Sequence, residues 1–272
     1  MTQYHQKKIA MINDLSGYGR CSLTVAIPVL SVMGHQCCPV PTAILSNHTE
    51  FPVYFFDDYT EKMTAYTDKW KELGLSFDAV ATGFLGSEAQ IEIVMDMIRK
   101  LESEETFVVV DPVMGDHGHA YETYTPEMCE QMKELVCMAD IVLPNVTECC
   151  ILTDTPYKKE NWTRRELLNM AMMLRLMGAK SVVITGVREG SYYTNVVLER
   201  GQMEAKFIRT RSSGGERPGT GDVFSSVVAG ALLNGKSLPE AVAQAAGFVK
   251  ECIKVSDEEQ IPHANGVCFE KI

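Results

Sequence analysis

Late in the chain stands Arg217-Pro218-Gly219-Thr220-Gly221-Asp222, preceded by Ser212-Ser213-Gly214-Gly215 and followed by an apolar stretch, residues 223–233, that suits a helix. Glycines at such a junction let the backbone take positive φ and let a ligand come close to the main chain. The first N–H groups of a helix have no partner within it and lie at the positive end of its dipole, so they form an anion site. Gly219, Thr220 and Gly221 are therefore expected to form an anion hole, with Asp222 beside it on the first turn. A carboxylate there can take the proton from a hydroxyl while the amides hold negative charge on the group that the hydroxyl attacks. That layout suits phosphoryl transfer to an alcohol. The same residues also suit a plain helix start after a flexible loop, with Thr220 or Asp222 as cap.

The elements that must position this stretch alternate along the chain. Apolar and β-branched runs at residues 8–13, 36–44, 78–82, 106–110, 141–143 and 181–185 read as strands. Residues 22–33, 57–73, 88–101, 126–138, 162–177, 223–233 and 238–254 read as helices, and 191–198 with 202–209 as an antiparallel hairpin around Arg200-Gly201. This alternation predicts a three-layer α/β/α sandwich whose central sheet is mostly parallel, with one late antiparallel hairpin. No Pro/Ser/Gly linker interrupts it, so residues 1–272 are expected to form a single domain. In such sheets the ligand lies outside the carboxyl ends of the strands. Polar residues fall at those ends: Asp14, Ser46-Asn47-His48-Thr49, Gly83 to Ser87, Asp111, Asn145 and Thr185.

Charge narrows the partners. The 272 residues carry 25 Lys+Arg against 36 Asp+Glu, a net charge of −11. So acidic a chain is a poor binder of nucleic acid or of anionic membranes, and any phosphate site has to be local. The nine cysteines, including the adjacent pairs Cys37-Cys38 and Cys149-Cys150, show no CxxC spacing and fit reduced thiols in the cytoplasm. The polar residues 1–8 do not read as a signal peptide. The apolar region 25–45 carries Pro28, Pro39, Pro41, His35 and Gln36, and does not read as a membrane span.

Several motifs carry more than one reading. Residues 230–237 spell GxxxxGK[ST], but a P-loop needs a strand before it. Here residues 224–229 continue a helix, Asn234-Gly235 suits its end and Ser237 the start of the next. Gly17-Tyr18-Gly19 lacks the third glycine of a dinucleotide fingerprint, since Ser22 stands there, which leaves an oxidoreductase as a weak alternative. Asp111 is fixed at a strand end by Pro112 and could hold Mg²⁺ through water, with Glu148 as a second carboxylate; either could instead cap a helix. His117-Gly118-His119 has no third ligand in evidence and is expected to be a mobile surface loop.

Taken together, Ser46-Asn47-His48-Thr49, Gly83-Phe84-Leu85-Gly86-Ser87, Asp111-Pro112-Val113-Met114-Gly115-Asp116, Pro144-Asn145 with Glu148, and Gly219-Thr220-Gly221-Asp222 resemble the motifs of the ribokinase-like superfamily. Within it they resemble the vitamin B6 (pyridoxal/pyridoxamine) kinases, in order, over residues 10–255. The resemblance implies an enzyme that uses ATP and Mg²⁺ to phosphorylate the hydroxymethyl group of a B6 vitamer, commonly as a homodimer; a K⁺ requirement is left open. It implies that Asp222 is the base and that Gly219, Thr220 and Gly221 form the anion hole. Asp14, Ser16, Asn47, His48, Thr49 and Gly83 would meet the substrate, Thr49 at the ring substituents. Asp111, Asp116, Asn145, Glu148, Thr185, Gly186, Arg217 and Gly219 would meet the nucleotide, with Asp111 and Glu148 near the metal and residues 116–121 as a flap. B6 kinases usually carry a serine-rich loop after the first strand. Asp14-Leu15-Ser16-Gly17 stands there instead and looks more like the hydroxymethylpyrimidine kinases of thiamine synthesis, which are the alternative reading. A ligand-sensing protein on the same fold is the third. An ionised Asp14 beside the substrate would favour a cationic vitamer such as pyridoxamine.

Overall fold

The computed structural model describes residues 6–101, 103 and 105–272. Its elements in chain order are β1 (Lys8–Tyr18), α1 (Ser22–Val32), β2 (Gln36–Asn47), β3 (Phe56–Asp58), α2 (Thr60–Glu72), β4 (Ala79–Thr82), α3 (Glu88–Leu101), β5 (Phe107–Val110), β6 (Gly115–Asp116), β7 (His119–Ala120), α4 (Pro126–Cys137), β8 (Ile141–Val142), α5 (Val146–Leu152), α6 (Arg164–Met177), β9 (Ser181–Glu189), β10 (Tyr192–Leu198), β11 (Lys206–Arg211), α7 (Thr220–Leu233) and α8 (Leu238–Glu258). One nine-stranded sheet has the order β11-β10-β9-β8-β5-β4-β1-β2-β3. The run from β2 to β9 is parallel, and β3, β10 and β11 add antiparallel to its two ends.

Period-two alternation builds the layers. Ala10, Ile12, Val80, Val108, Val110, Val182 and Ile184 point to one core, shared with Met63, Ile91, Ile98, Met132, Leu135 and Leu167 of α2, α3, α4 and α6. Ile9, Met11, Ala79, Ala81, Val109 and Val183 point to the other, shared with Leu23, Val25, Val223, Val227, Ala241 and Val242 of α1, α7 and α8. The expected α/β/α sandwich and its late hairpin are thus both present.

Four local expectations change. Residues 14–18, read as a loop, continue β1: after a register irregularity between Asn13 and Leu15 they pair in parallel with β2 as far as Tyr18. The expected helix at 57–73 starts later, because Phe56–Asp58 forms the edge strand β3 against Ala43, Ile44 and Leu45. Pro39 and Pro41 lie on the stretch of β2 that β3 does not reach, where a missing N–H leaves no ladder partner unpaired. α5 was foreseen only as the helix that Glu148 could cap, with no bounds: it is seven residues long, too short for an amphipathic period to show. His117 and Gly118 are the centre of the tight β6–β7 hairpin, with φ of 52° and 87°, and not a loose loop. The GxxxxGK[ST] match spans the end of α7, its Asn234 cap and the Ser237–Glu240 capping box that opens α8, so it forms no P-loop. Among the described residues no helix is long and apolar enough to cross a membrane.

Candidate active site

α7 starts in an unusual way. Its N-cap is Gly219, at φ 77° and ψ −2°, and no side chain caps the helix. A Cβ at Gly219 would overlap the carbonyl oxygen of Arg20, so both the left-handed backbone and the close approach require glycine. The Thr220 hydroxyl turns back to the Arg217 carbonyl (3.0 Å). The first amides of α7 are thereby left without a side-chain partner, at the positive end of a 14-residue helix.

Asp222 sits on that first turn and is held from β1. The Asn13 side-chain amide donates to its Oδ1 (3.2 Å). Asn13 is itself fixed, its Oδ1 accepting from the N–H groups of Phe84 (2.9 Å) and Asp14 (3.0 Å). Gly83 lies against this amide, and a Cβ there would collide with it. Burial raises the pKa of Asp222 to about 6, the Asp14 charge adds to the rise, and the bond from Asn13 opposes it. A carboxylate poised near neutrality is suited to general-base work.

Asp111 and Glu148 form the neighbouring acidic floor. Asp111 follows β5, and the Ser225 hydroxyl beside it donates to the Asp222 carbonyl (3.4 Å). The Asp111 pKa is well above the ordinary carboxylate value because of burial first, then the charges of Glu148 and Asp222. The adjoining Val113 has φ 44°, a conformation that a β-branched residue holds only at a cost of about 1–3 kcal/mol, so the turn after β5 is imposed by its surroundings. Glu148 closes the start of α5: its Oε2 accepts from Asn145 N (2.8 Å) and its Oε1 from Met114 N (3.0 Å). Burial raises it to about 7. Among the described residues no group of three or more His, Cys, Asp or Glu could hold a metal by itself. Mg²⁺ commonly takes one or two carboxylates and completes its shell with water and phosphate oxygens, and this pair of mutually repelling carboxylates fits that mode.

The residues expected at the substrate fall into two groups. His48 is half-buried, its Nε2 bonded to the Ala264 carbonyl (2.7 Å), and Asn47 reaches the Val53 carbonyl (2.9 Å), so both hold the loop on which Thr49 stands exposed. Asp14 and Ser16 are instead turned inward. Asp14 is 6% exposed; its Oδ1 accepts from the Ser22 hydroxyl (2.5 Å) and its Oδ2 from the Ser16 hydroxyl (2.8 Å). Both oxygens of Asp14 thus accept hydroxyls from within the protein.

On the nucleotide side, Thr185 bridges to Asn145 and donates its N–H to Pro144 O (2.8 Å). Gly186, at φ 65°, donates to the buried Asn195 (3.0 Å). Asp116 lies exposed in the β6–β7 hairpin. The Arg217 guanidinium is anchored to Asp257 (2.8 Å) and to the Ile261 carbonyl (2.9 Å), so it braces the anion loop against α8. Beyond it a groove of about 460 Å³ is lined by Arg188, Tyr193, Arg211, Gly214 and Glu216 among others. Asn13, Ser22 and Ser225 were missed in the sequence. Only Asn13 left a signal there, as the first polar residue after the apolar start of β1.

Comparison with known proteins identifies the family. The family model described as Phosphomethylpyrimidine kinase matches residues 27–268. A pyridoxine kinase of Bacillus subtilis is 30% identical over 259 residues, which is 92% of this chain and 85% of that protein. A Bacteroides thetaiotaomicron protein provisionally described as a phosphomethylpyrimidine kinase is 40% identical, and its rhombohedral crystal structure superposes with a TM-score of 0.96 over 100% of this chain and 94% of that one. Its orthorhombic crystal form was obtained with pyridoxal and covers 98% of this chain and 94% of that one, with a TM-score of 0.94. The pyridoxal kinase of Lactobacillus plantarum is 27% identical with a TM-score of 0.91, over 98% of this chain and 95% of that one.

Proposed function

The chain belongs to the phosphomethylpyrimidine kinase family, and from that premise we propose that it transfers the γ-phosphoryl group of ATP to the hydroxymethyl group of a B6 vitamer. The observation that carries the reading is the pairing of an uncapped helix start with a carboxylate beside it, Gly219 to Asp222, held from β1 by Asn13. Support for the substrate comes from the Bacillus pyridoxine kinase, from the Lactobacillus pyridoxal kinase and from the Bacteroides relative crystallised with pyridoxal.

In this reading Asp222 accepts the proton of the hydroxymethyl group. The substrate oxygen bonds to the γ-phosphorus as the bond to the β,γ-bridging oxygen breaks, and ADP leaves. The amides of Gly219, Thr220 and Gly221 hold the charge of the transferring group. Asp111 and Glu148 would hold Mg²⁺, which would offset the charge of the phosphates. Thr49, on a loop shaped by Asn47 and His48, and Gly83 border the vitamer. Asn145, Thr185, Gly186 and Asp116 border the nucleotide, whose base end points to the groove beyond Arg217. Residues 1–272 act as one catalytic domain in the cytoplasm. We also propose a homodimer: Val53 and Phe55, 79% and 63% exposed, lead with Tyr54 into Phe56 of the short edge strand β3 and form with it an apolar patch suited to a second copy. Sedimentation of Phe55→Ser against the wild type tests that point; a wild-type monomer would sink it.

The deciding experiment is ATP consumption with pyridoxal, pyridoxine, pyridoxamine and hydroxymethylpyrimidine. Turnover of the B6 vitamers with hydroxymethylpyrimidine used poorly is the expected result, abolished by EDTA and restored by Mg²⁺. If hydroxymethylpyrimidine gives the highest kcat/KM, the thiamine-pathway reading replaces this one, and the family description favours that alternative over any other. If ATP is consumed with none of them, the fold serves as a ligand-binding protein.

A further inference from the structure

We propose that the turn after α8, residues 261–266, is a clasp that sets the vitamer loop (47–53) against the anion loop (216–221), and that Arg20 and His48, which grip its carbonyls, are positioning residues for the transfer. This rests on the reading of Gly219 to Asp222 as the transfer site, with the vitamer beside Thr49.

The turn is a short 3-10 helix, His263–Asn265, between Pro262 and Gly266. Its own N–H groups use two carbonyls: Asn265 N donates to Pro262 O (3.0 Å) and Gly266 N to His263 O (3.0 Å). The carbonyls of Ile261, Ala264 and Asn265 each receive a side chain from a different loop instead. Arg217 of the anion loop donates to Ile261 O (2.9 Å), His48 of the vitamer loop to Ala264 O (2.7 Å), and Arg20, between β1 and α1, to Asn265 O (3.1 Å). One tautomer of His48 serves both of its nitrogens, since Nδ1 accepts from Glu50 N (3.4 Å) while Nε2 donates to Ala264. The Arg20 fork takes Glu270 Oε1 (2.7 Å) as its second acceptor. His263, from the turn itself, reaches both loops: its Nε2 donates to Glu216 O (2.9 Å), and its Nδ1 stands 3.6 Å from Glu50 Oε2. Among the described residues, the side chains of 48–51 make polar contacts outside their own loop with this turn alone.

The clasp has a fixed footing. Val267 is fully buried, and Cys268 N donates to the Ser256 hydroxyl of α8 (2.7 Å). The Arg20 carbonyl closes the link to the anion loop. Gly219 approaches it so closely that a Cβ there would overlap it, and a Cβ at Gly266 would lie 2.9 Å from it and 3.2 Å from Pro218 O. The turn, the Arg20 segment and the anion loop are thus packed main chain to main chain, and the vitamer loop joins them through His48. The attacking hydroxyl and the phosphoryl group are held by different loops, and an error of about 1 Å in their separation costs on the order of 10²-fold in rate.

The test is kcat and both KM values, per folded molecule, with pyridoxal and ATP each varied, for the wild type, His48→Phe, His48→Gln, Arg20→Met and the double variant His48→Phe/Arg20→Met. His48→Phe keeps a ring against Phe51 but cannot donate to Ala264. It is expected to lower kcat about tenfold at saturating vitamer, with KM for ATP within about twofold of the wild type. His48→Gln can place an amide N–H where Nε2 stood and should recover most of that loss. Arg20→Met keeps the stem but drops both bonds, so kcat should fall roughly tenfold to a hundredfold. The double variant should lose less than the product of the single losses, because both residues act through one turn. A loss confined to KM for the vitamer, a glutamine variant as slow as the phenylalanine one, or losses that multiply in the double variant overturns the proposal. If Arg20→Met does not accumulate as folded protein, Arg20→Lys, which reaches one acceptor of the two, carries the comparison. A wild type that phosphorylates none of the vitamers sinks the functional reading and the proposal with it. An active wild type with unchanged kcat in His48→Phe and Arg20→Met sinks the clasp alone.

Discussion

Two helices begin at the same edge of the sheet and finish their first turns in opposite ways. α5 is shut by its own side chains: Asn145 Oδ1 accepts from Glu148 N (2.9 Å), and Glu148 returns the bond to Asn145 N (2.8 Å). α7 has glycine at the same position, no side chain to spend, and an aspartate on its first turn that bonds away to Asn13. Both arrangements are stable because a helix start needs partners for its amides and accepts them from any source. The difference is who supplies them. The capping box of α5 fills its end with a carboxylate and so repels a further anion, whereas α7 leaves donors and a positive dipole end for an incoming phosphoryl group.

The strongest way to break this contrast is at the base. Asp222→Asn keeps shape and the Asn13 contact but cannot take a proton, so kcat should fall about 10²- to 10⁴-fold with substrate affinity much less changed. Near-normal turnover would show that α7 only binds. Next is the open end itself. Gly219→Ala forces a side chain into the Arg20 carbonyl and a non-glycine residue to φ 77°, so the loop must shift and the amides lose their aim. By analogy with the removal of an oxyanion donor, kcat should fall on the order of 10²-fold. An alanine variant with wild-type kinetics would mean that the left-handed cap does not shape the anion site.

Smaller effects come from the charge stored in the cleft. Asp222 and Glu148 have folded pKa values of about 6 and about 7, raised in each case chiefly by burial from 3.8 and 4.5. A carboxyl raised in this way gives stability that is complete below its unfolded pKa and is lost as pH climbs through the folded one. Thermal stability should therefore decline as pH rises from about 4 to about 7, the window these values span. Asp222→Asn should melt a few degrees above the wild type at neutral pH, with a flatter slope, at about 2–4 °C per kcal/mol recovered. The same ionisation sets activity in the opposite sense: kcat should fall below about pH 6 as Asp222 gains its proton. A melting temperature independent of pH across that window would show that the carboxylates are not under strain.

Much of this was legible in the chain. The anion loop could be read because glycines, threonine and aspartate lie together in sequence, and the layer architecture because each strand and helix carries its own period. Partnerships across long separations could not. Nothing adjacent to Asn13 announces a bond to a residue 209 positions away. The inward turn of Asp14 depends on Ser22 adopting a left-handed backbone, which serine does not advertise. Glu148 could be read both as a metal neighbour and as a cap, and the structure adds what its position alone could not: it closes α5 and at the same time repels Asp111.

The mildest test opens the closed end. Asn145→Ala removes the acceptor for Glu148 N and the donor to the Gly115 carbonyl (2.9 Å), which ties the β6–β7 hairpin to α5. A helix of seven residues has little stability of its own, so the cap matters more than it would in a long one. The loss should be about 0.5–2 kcal/mol, read as a lower melting temperature. Turnover should fall far less than in Gly219→Ala, because the Glu148 carboxylate still accepts from Met114 and still blocks the end of α5 to phosphate. Asn145→Asp sharpens the point: aspartate caps well, yet it sets a second negative charge beside Glu148 and forfeits the bond to Gly115. It should therefore recover stability at low pH and lose it again as pH rises. If Asn145→Ala instead reduced kcat as much as Gly219→Ala while melting like the wild type, the start of α5 would serve the transferring group as α7 does and the distinction between the two helix starts would fail.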